Sequence, residues 1–330
     1  MTSTYDVVGI GNAMVDVISP ASDTFLDHMG ITKGIMQLIE RDRAEVLYAA
    51  MESRVETPGG SVANTLAGLG QLGLQTGFVG RVADDALGRF YADAMTQGGT
   101  EFVNAPTAGA DLPTSRSMIF VSPDGERSMN TFLGESTYLG SADVPTEVMK
   151  ATRFLFLEGY LFDKDDNKAA FNAASAACRK GGGAPGISLS DPFCVDRHRD
   201  DFRKLVRDEM AFVIGNEDEW KSLYQVTDVE QALAHAMEDC QTLAFTRSGD
   251  PVIVFKDGER ADVPIQKVVP VDATGAGDQF AAGFLYGLAE GRAADTCGRM
   301  GAVAAAEVIS HVGPRPEADL KGLFQRHGLV

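Results

Sequence analysis

One string in the chain combines residue types and spacing that suit chemistry directly: Asp272-Ala273-Thr274-Gly275-Ala276-Gly277-Asp278, continued by Gln279-Phe280-Ala281-Ala282-Gly283-Phe284. The apolar run Val268 to Val271 reads as a strand leading into it, and Phe280, Phe284 and Leu288 fall on one face of a helix that starts within it. Gly275 and Gly277 leave backbone N–H groups bare at that helix start, where the helix dipole also favours negative charge. Such amides suit the charge that develops on a phosphoryl group in transfer. A carboxylate in the first turn, Asp278, can accept the proton of an attacking hydroxyl. A plain helix cap is the other use of Asp and Gly here, and the full string after an apolar strand puts it second. The catalytic candidates are Asp278, Gly275, Ala276 and Gly277.

The elements needed to hold such a site can be read from apolar periodicity. Tyr5 to Gly11, Thr76 to Gly80, Arg153 to Glu158, Gly186 to Ser190, Ala211 to Ile214 and Thr242 to Thr246 are short buried-type strands. Helical stretches lie between them, such as Ser61 to Leu72, Asn167 to Lys180 and Val229 to Glu238. This alternation implies right-handed crossovers and an α/β fold with a mostly parallel sheet covered on both faces. Two stretches break the rhythm. Ile35 to Glu40 is a short strand, and Ser115 to Val121 and Arg127 to Phe132 flank a Pro-Asp-Gly turn as a hairpin. They read as a small β appendage inserted discontinuously into the body. Val252 to Val263, turned at Asp257-Gly258, is a second antiparallel piece.

Composition narrows the class. The 330 residues are 44% hydrophobic and 23% charged, enough for a full globular core. A formal charge of −18 argues against a protein that tracks nucleic-acid phosphates, which needs a basic stripe. Cys178, Cys194, Cys240 and Cys297 are scattered without a paired motif and read as buried thiols in a reducing cytosol. The start, Met1 to Asp6, lacks the basic and apolar regions of a leader, and Gly, Asp and Arg interrupt every apolar stretch that would span a bilayer. A cytoplasmic protein without membrane contact is expected. Gly9-Ile10-Gly11 follows a strand, but position 14 is Met where a dinucleotide fingerprint needs its third glycine. No P-loop string occurs, and His28, His198, His235, His311 and His327 lack metal-ligand spacing. Asp191-Pro192-Phe193-Cys194 follows a strand and could line a cleft, but no chemistry attaches to it and an ordinary loop is the better reading.

Asp272 to Asp278 resembles the C-terminal signature of the ribokinase-like (PfkB) family of carbohydrate and nucleoside kinases. Gly59-Gly60-Ser61-Val62-Ala63-Asn64 resembles that family's first signature, and Asn216-Glu217-Asp218-Glu219 its paired Asn and acid before the nucleotide site. The three motifs occur in the family's order. The resemblance implies a three-layer α/β/α sandwich with a mostly parallel central sheet and a small discontinuous β lid. It divides the chain into a large domain of about residues 1–11, 59–99 and 133–330 and a lid of about 12–58 and 100–132.

The same resemblance assigns further residues. Asp16 would accept hydrogen bonds from two vicinal hydroxyls, its alternative being a loop Asp that satisfies backbone N–H groups. Asn12, Gly59, Gly60, Asn64 and Arg127 complete the substrate set, Arg127 from the lid hairpin; an exposed strand arginine is its equal alternative. Asn216, Glu219, Thr246, Arg247 and Gly249 lie on the ATP side with Thr274, Gly275 and Gly277. Glu219 would organise Mg²⁺ through water, an N-capping Asn with first-turn acids being the local alternative. Asp272 and Thr274 are candidate ligands of a monovalent cation, K⁺.

The reaction implied is phosphoryl transfer from ATP to a hydroxyl of a small molecule. Gly11-Asn12 with Asp16, the two glycines with Asn64, and Ser128 to Gly134 look more like the adenosine kinase branch than the sugar branches. The expected acceptor is the 5′-hydroxyl of adenosine or a related purine nucleoside, with Met36, Phe120, Met129 and Phe132 as candidates for the base pocket. A kinase of ribose, fructose or a keto-sugar acid is the enzymatic alternative. A non-catalytic nucleotide or nucleoside binder is the alternative from another class. Either a monomer or a homodimer joined through the lid fits.

Overall fold

Val7 and Val8 are neighbours in the first strand, point to opposite faces, and are both fully buried, so the strand is covered on both sides. They belong to two separate apolar clusters, one on each face of the sheet. This is the three-layer arrangement expected from the alternation of elements. The computed structural model describes residues 4–330; Met1 to Ser3, on which part of the leader reading rests, lie outside the described residues.

The strands in chain order are β1 (Tyr5–Ile10), β2 (Met14–Pro20), β3 (Met36–Leu38), β4 (Val55–Gly59), β5 (Thr76–Val79), β6 (Thr100–Phe102) and β7 (Ser115–Val121). They continue as β8 (Arg127–Phe132), β9 (Thr152–Glu158), β10 (Ala184–Ser188), β11 (Phe212–Asn216), β12 (Thr242–Thr246), β13 (Val252–Lys256) and β14 (Glu259–Val263). Nine form one sheet in the order β14-β13-β12-β11-β10-β9-β1-β5-β6. From β12 through β6 all pairings are parallel, and β13 and β14 extend that sheet as the antiparallel hairpin turned at Asp257-Gly258. The other five form a small sheet, β3-β8-β7-β2-β4.

Three features differ from the sequence reading. Residues 100–102, assigned to the lid, pair with β5 at the edge of the large sheet, because Thr100 to Phe102 continues its parallel ladder. Val268 to Val271 forms no strand. Pro270 removes a ladder donor, and Val269 is left 84% exposed. Asp16 sits on a strand, β2, which the sequence did not distinguish from a loop; β2 pairs with β4 on one side and β7 on the other.

The helix Ala276–Ala289 is apolar almost throughout and is buried from Gln279 to Ala289. It can lie that deep because glycines let its neighbours close in. A Cβ on Gly283 would stand 2.3 Å from the Met300 carbonyl oxygen, and one on Gly68 2.2 Å from Gln279 Oε1. Its N-terminus is thereby pinned beside the helix Ser61–Gln71, and the two signatures meet.

Candidate active site

The C-terminal ends of the parallel strands and the inner face of the small sheet enclose a cleft of about 660 Å³. Ligands of open α/β sheets bind at that end. The cleft gathers Asn12, Asp16, Gly60 and Asn64 from the first half of the chain with Asn216, Glu219, Thr246, Gly277 and Asp278 from the second.

Asp278 occupies the first turn of its helix, as the sequence predicted. Ser61 Oγ donates to one carboxylate oxygen at 2.6 Å and Asn64 Nδ2 to the other at 3.0 Å. Burial pushes its carboxyl up to about 6, against these two bonds and the charge of Arg315, which hold it down. Gly275 takes the left-handed conformation, φ 82°, and a Cβ there would stand 2.6 Å from Pro314 Cα. Gly277 is different. A Cβ there would meet nothing within 4 Å, so its backbone faces the open cleft. The Ala276 amide is spent on the Ala273 carbonyl at 3.3 Å, which removes it from the expected amide set. The amides of Gly277 and Asp278 carry no hydrogen bond among the described residues and are free to meet an anion.

Asp16 faces the same cleft from β2. Burial raises its carboxyl to about 7, opposed by the charges of Arg315 and Arg127 and reinforced by Asp278. Gly59 lies outside the cleft lining; a Cβ there would fall 2.5 Å from the Asp16 carboxylate, so this glycine makes room for the acid. Gly60, φ 101°, passes so close to the Asn12 carbonyl oxygen that a Cβ would sit 2.3 Å from it. Asn12 is in the wall, but its side chain is already committed. Its Nδ2 donates to Glu158 Oε1 at 2.7 Å and its Oδ1 accepts from Ser136 Oγ at 2.9 Å, so it braces the wall and has little left for a substrate.

On the opposite wall, Asn216 and Glu219 form a reciprocal capping box: Asn216 Oδ1 accepts the Glu219 amide at 2.9 Å, and the Glu219 carboxylate accepts the Asn216 amide at 2.8 Å. The local capping alternative is thus realised, and it aims Glu219 at the cleft. Burial raises its carboxyl to about 7. Both carboxylate oxygens already accept from Asn216. That donor set fits a hydrated Mg²⁺ held through water better than direct ligation.

Several expected residues are not brought into the cleft. Arg127 turns to Asp272, its Nη2 3.3 Å from the Asp272 Oδ2. Arg247 binds Glu217 at 3.1 Å and approaches Asp250 at 3.7 Å, while Gly249 serves a turn at φ 121°. The Asp272 carboxylate accepts from the Thr274 amide and hydroxyl and from the Gly313 amide, in addition to Arg127. A carboxylate ringed by donors does not suit a cation, so the side chains of Asp272 and Thr274 do not fit the expected K⁺ site. Of the lid candidates for a base pocket, Met36 and Met129 line the cleft. Phe120 and Phe132 are buried in the apolar core of the lid instead.

Other lining residues escaped the sequence. Ser61 lay inside the first signature unread. Glu158, 2% exposed, closes an apolar strand, a charge in a place that signals function; it accepts the Asn12 and Val62 amides at 3.2 Å, and burial raises its carboxyl to about 7. Asp191, Phe193 and Cys194, for which the sequence favours an ordinary loop, instead form the capped start of the helix Pro192–Arg197 and line the cleft with Tyr160 and Leu38. Arg315, outside the cleft lining but bonded to Asn64, had no sequence signal beyond its flanking prolines.

The profile of the pfkB carbohydrate kinase family matches residues 24–319. Among solved structures, a probable sugar kinase from Rhizobium etli CFN 42 superposes with a TM-score of 0.90 at 41% identity, covering the whole of both chains. The adenosine kinase of Sinorhizobium meliloti superposes at 0.89 with 41% identity, covering 98% of this chain and 100% of that one. A fructokinase from Klebsiella pneumoniae is 30% identical over 250 residues, covering 71% of this chain and 78% of its own length.

Proposed function

The chain belongs to the pfkB family of carbohydrate kinases, and from that premise we propose that it transfers the γ-phosphoryl group of ATP to the 5′-hydroxyl of adenosine or a related purine nucleoside. Kinase activity on a sugar or nucleoside comes with the family. The acceptor and the residue roles are inferred from the cleft.

The observation that carries the acceptor is the two-sided character of the cleft. Its floor is polar, with Asp16, Asn64 and Asp278. Its rim is apolar, with Met36, Leu38 and Met129 from the small sheet facing Tyr160 and Phe193 of the body. Leu38 is 62% and Phe193 72% exposed, apolar surface left open around a cleft. A lone sugar would satisfy the floor and leave the rim wet. A ribose carrying a flat base would satisfy both.

In this reading Asp16 accepts the ribose hydroxyls, and Asn64, its amide held between Arg315 and Asp278, supports the base beside them. Asp278 takes the proton of the 5′-hydroxyl as its oxygen attacks the γ-phosphorus. A new P–O bond forms, the bond to the β-phosphate oxygen breaks, and ADP leaves. The Gly277 and Asp278 amides meet the charge on the equatorial oxygens. Glu219 and Asn216 would hold the water shell of Mg²⁺, which supplies charge neutralisation on the phosphates when bound.

A second reading, a sugar kinase, is favoured by the fructokinase and sugar kinase relatives. A coupled ADP-release assay over a panel of nucleosides and sugars separates the readings. Release with adenosine or another purine nucleoside supports the proposal. Release with sugars alone replaces it, and no release with any acceptor leaves a binding protein.

A further inference from the structure

Asp16 and Asp278 reach one cleft from opposite ends of the chain, and two carboxylates sharing a site work against each other's ionisation. The charge of Arg315 acts on both from Gly313-Pro314-Arg315-Pro316, a loop stiffened by proline on either side. Its Nη2 donates to the Pro58 carbonyl oxygen at 2.8 Å, and its Nε donates to Asn64 Oδ1 at 3.4 Å. Asn64 then presents its Nδ2 to Asp278 at 3.0 Å. An amide has one accepting and one donating end, so a guanidinium on the oxygen decides which end meets the base. The Pro58 bond acts on the neighbouring turn as well, where Tyr91 donates to the Gly59 carbonyl oxygen at 3.1 Å. Arg315 therefore touches the glycine turn and the Asn64 amide, and its field reaches both carboxylates.

We propose that Arg315 is a positioning residue for the base, turning the Asn64 amide toward Asp278 and supplying the positive charge that Asp16 and Asp278 share. The proposal rests on the reading of Asp278 as the base. The groups around Asp278 leave that task to Arg315. Ser61 and Asn64, on the helix Ser61–Gln71, are neutral donors. Asp16 on β2 and Glu158 on β9 are acids, and Tyr160 is a phenol whose own ionisation burial opposes. Arg127 on β8 acts on Asp16 but is engaged with Asp272. Burial weakens the charge of Arg315 itself, and Tyr91, Asp16 and Asp278 reinforce it.

The test reads the carboxyl directly. The titration of Asp278 is followed by ¹³C NMR in the full chain, the signal assigned by its loss in Asp278→Asn, so that no turnover is needed. Arg315→Gln keeps a donor and deletes the charge; Arg315→Met deletes both. In each the titration midpoint is expected to rise by about one unit or more, because an opposite charge has been withdrawn. The acidic limb of kcat/KM should move with it while the KM for ATP holds. Arg315→Lys, which retains the charge, should restore most of the shift. Should Arg315→Met fail to fold, Arg315→Gln decides. An unmoved midpoint in Arg315→Gln overturns the proposal, as does a lysine variant that behaves like the methionine one. If the wild-type chain phosphorylates no acceptor while the midpoint still rises in Arg315→Gln, the kinase reading falls and the assignment of Arg315 stands.

Discussion

Ser61→Ala removes the 2.6 Å hydrogen bond that the Ser61 hydroxyl donates to Asp278. That bond and the one from Asn64 oppose the burial that sets the carboxyl at about 6. A hydrogen bond to a charged group contributes about 1.5–3 kcal/mol, and one pH unit corresponds to about 1.4 kcal/mol. Losing it should therefore raise the base by about one to two units. Water from the open cleft replaces part of the bond, so the lower figure is expected. At pH 6 about half of the wild-type bases are ionised and about a tenth of the variant's, a loss of about fivefold in kcat/KM. Well above both midpoints the two enzymes should agree within about twofold, since the ionised base is the same in each. The assay is coupled ADP release, with kcat/KM followed from about pH 5 to about pH 9. The sign matters as much as the size. A limb that stays in place, or moves to lower pH, would show that Ser61 does not stabilise the ionised form and would undo the account of this site.

Further outcomes follow from the same geometry. Asp278→Asn should lower turnover by about 10²–10⁴-fold, the range of general-base catalysis, with ATP affinity by calorimetry nearly unchanged; near-normal turnover would remove Asp278 as the base. Gly277→Ala and Gly275→Ala should part company. The first places a methyl in the open cleft, so stability holds or rises by about 0.5–1 kcal/mol while the KM for ATP increases. The second strains a left-handed residue against Pro314 and should lose about 1–3 kcal/mol in denaturant unfolding. Equal stability of the two variants would contradict the turn. Asp16, Glu158, Glu219 and Asp278 are all held above the ordinary carboxylate range by burial. The folded chain therefore binds more protons than the unfolded one between about pH 4 and 7, and stability falls as pH rises through that window. The Tm of the ligand-free protein should be about 2 °C or more higher at pH 6 than at pH 8 by scanning calorimetry; the reverse order would show that these acids are not desolvated.

Much of the fold was legible because its signals are local. An apolar run bounded by Gly or Asp fixes a buried strand, and the boundaries of Thr242–Thr246 and Ser115–Val121 agree with the sequence reading to the residue. The failures share one cause. Val268 to Val271 has strand composition but carries Pro270 and pairs with neither sheet, whereas Thr100 to Phe102 joined the large sheet along β5. Pairing partners are a property of the whole sheet and leave no mark in a short window.

The site divides along the same line. The string Asp272 to Asp278, the glycine pair at 59 and 60, and Asn216 with Glu219 were legible in the chain alone, since each works through backbone conformation or a cap within a few residues. Tertiary structure alone decided that Ser61, Asn64 and Arg315 converge on Asp278 across sequence separations of more than 30 residues. It also decided that Arg127 would rest on Asp272, that Asn12 would be closed off by Glu158 and Ser136, and that Leu38, Tyr160 and Phe193 would join the expected Met36 and Met129 at the rim. The physical reason is range. Caps and turns are set by hydrogen bonds between near neighbours in the chain, whereas the charge that a buried carboxylate feels is set by whatever folding brings within a few ångströms of it.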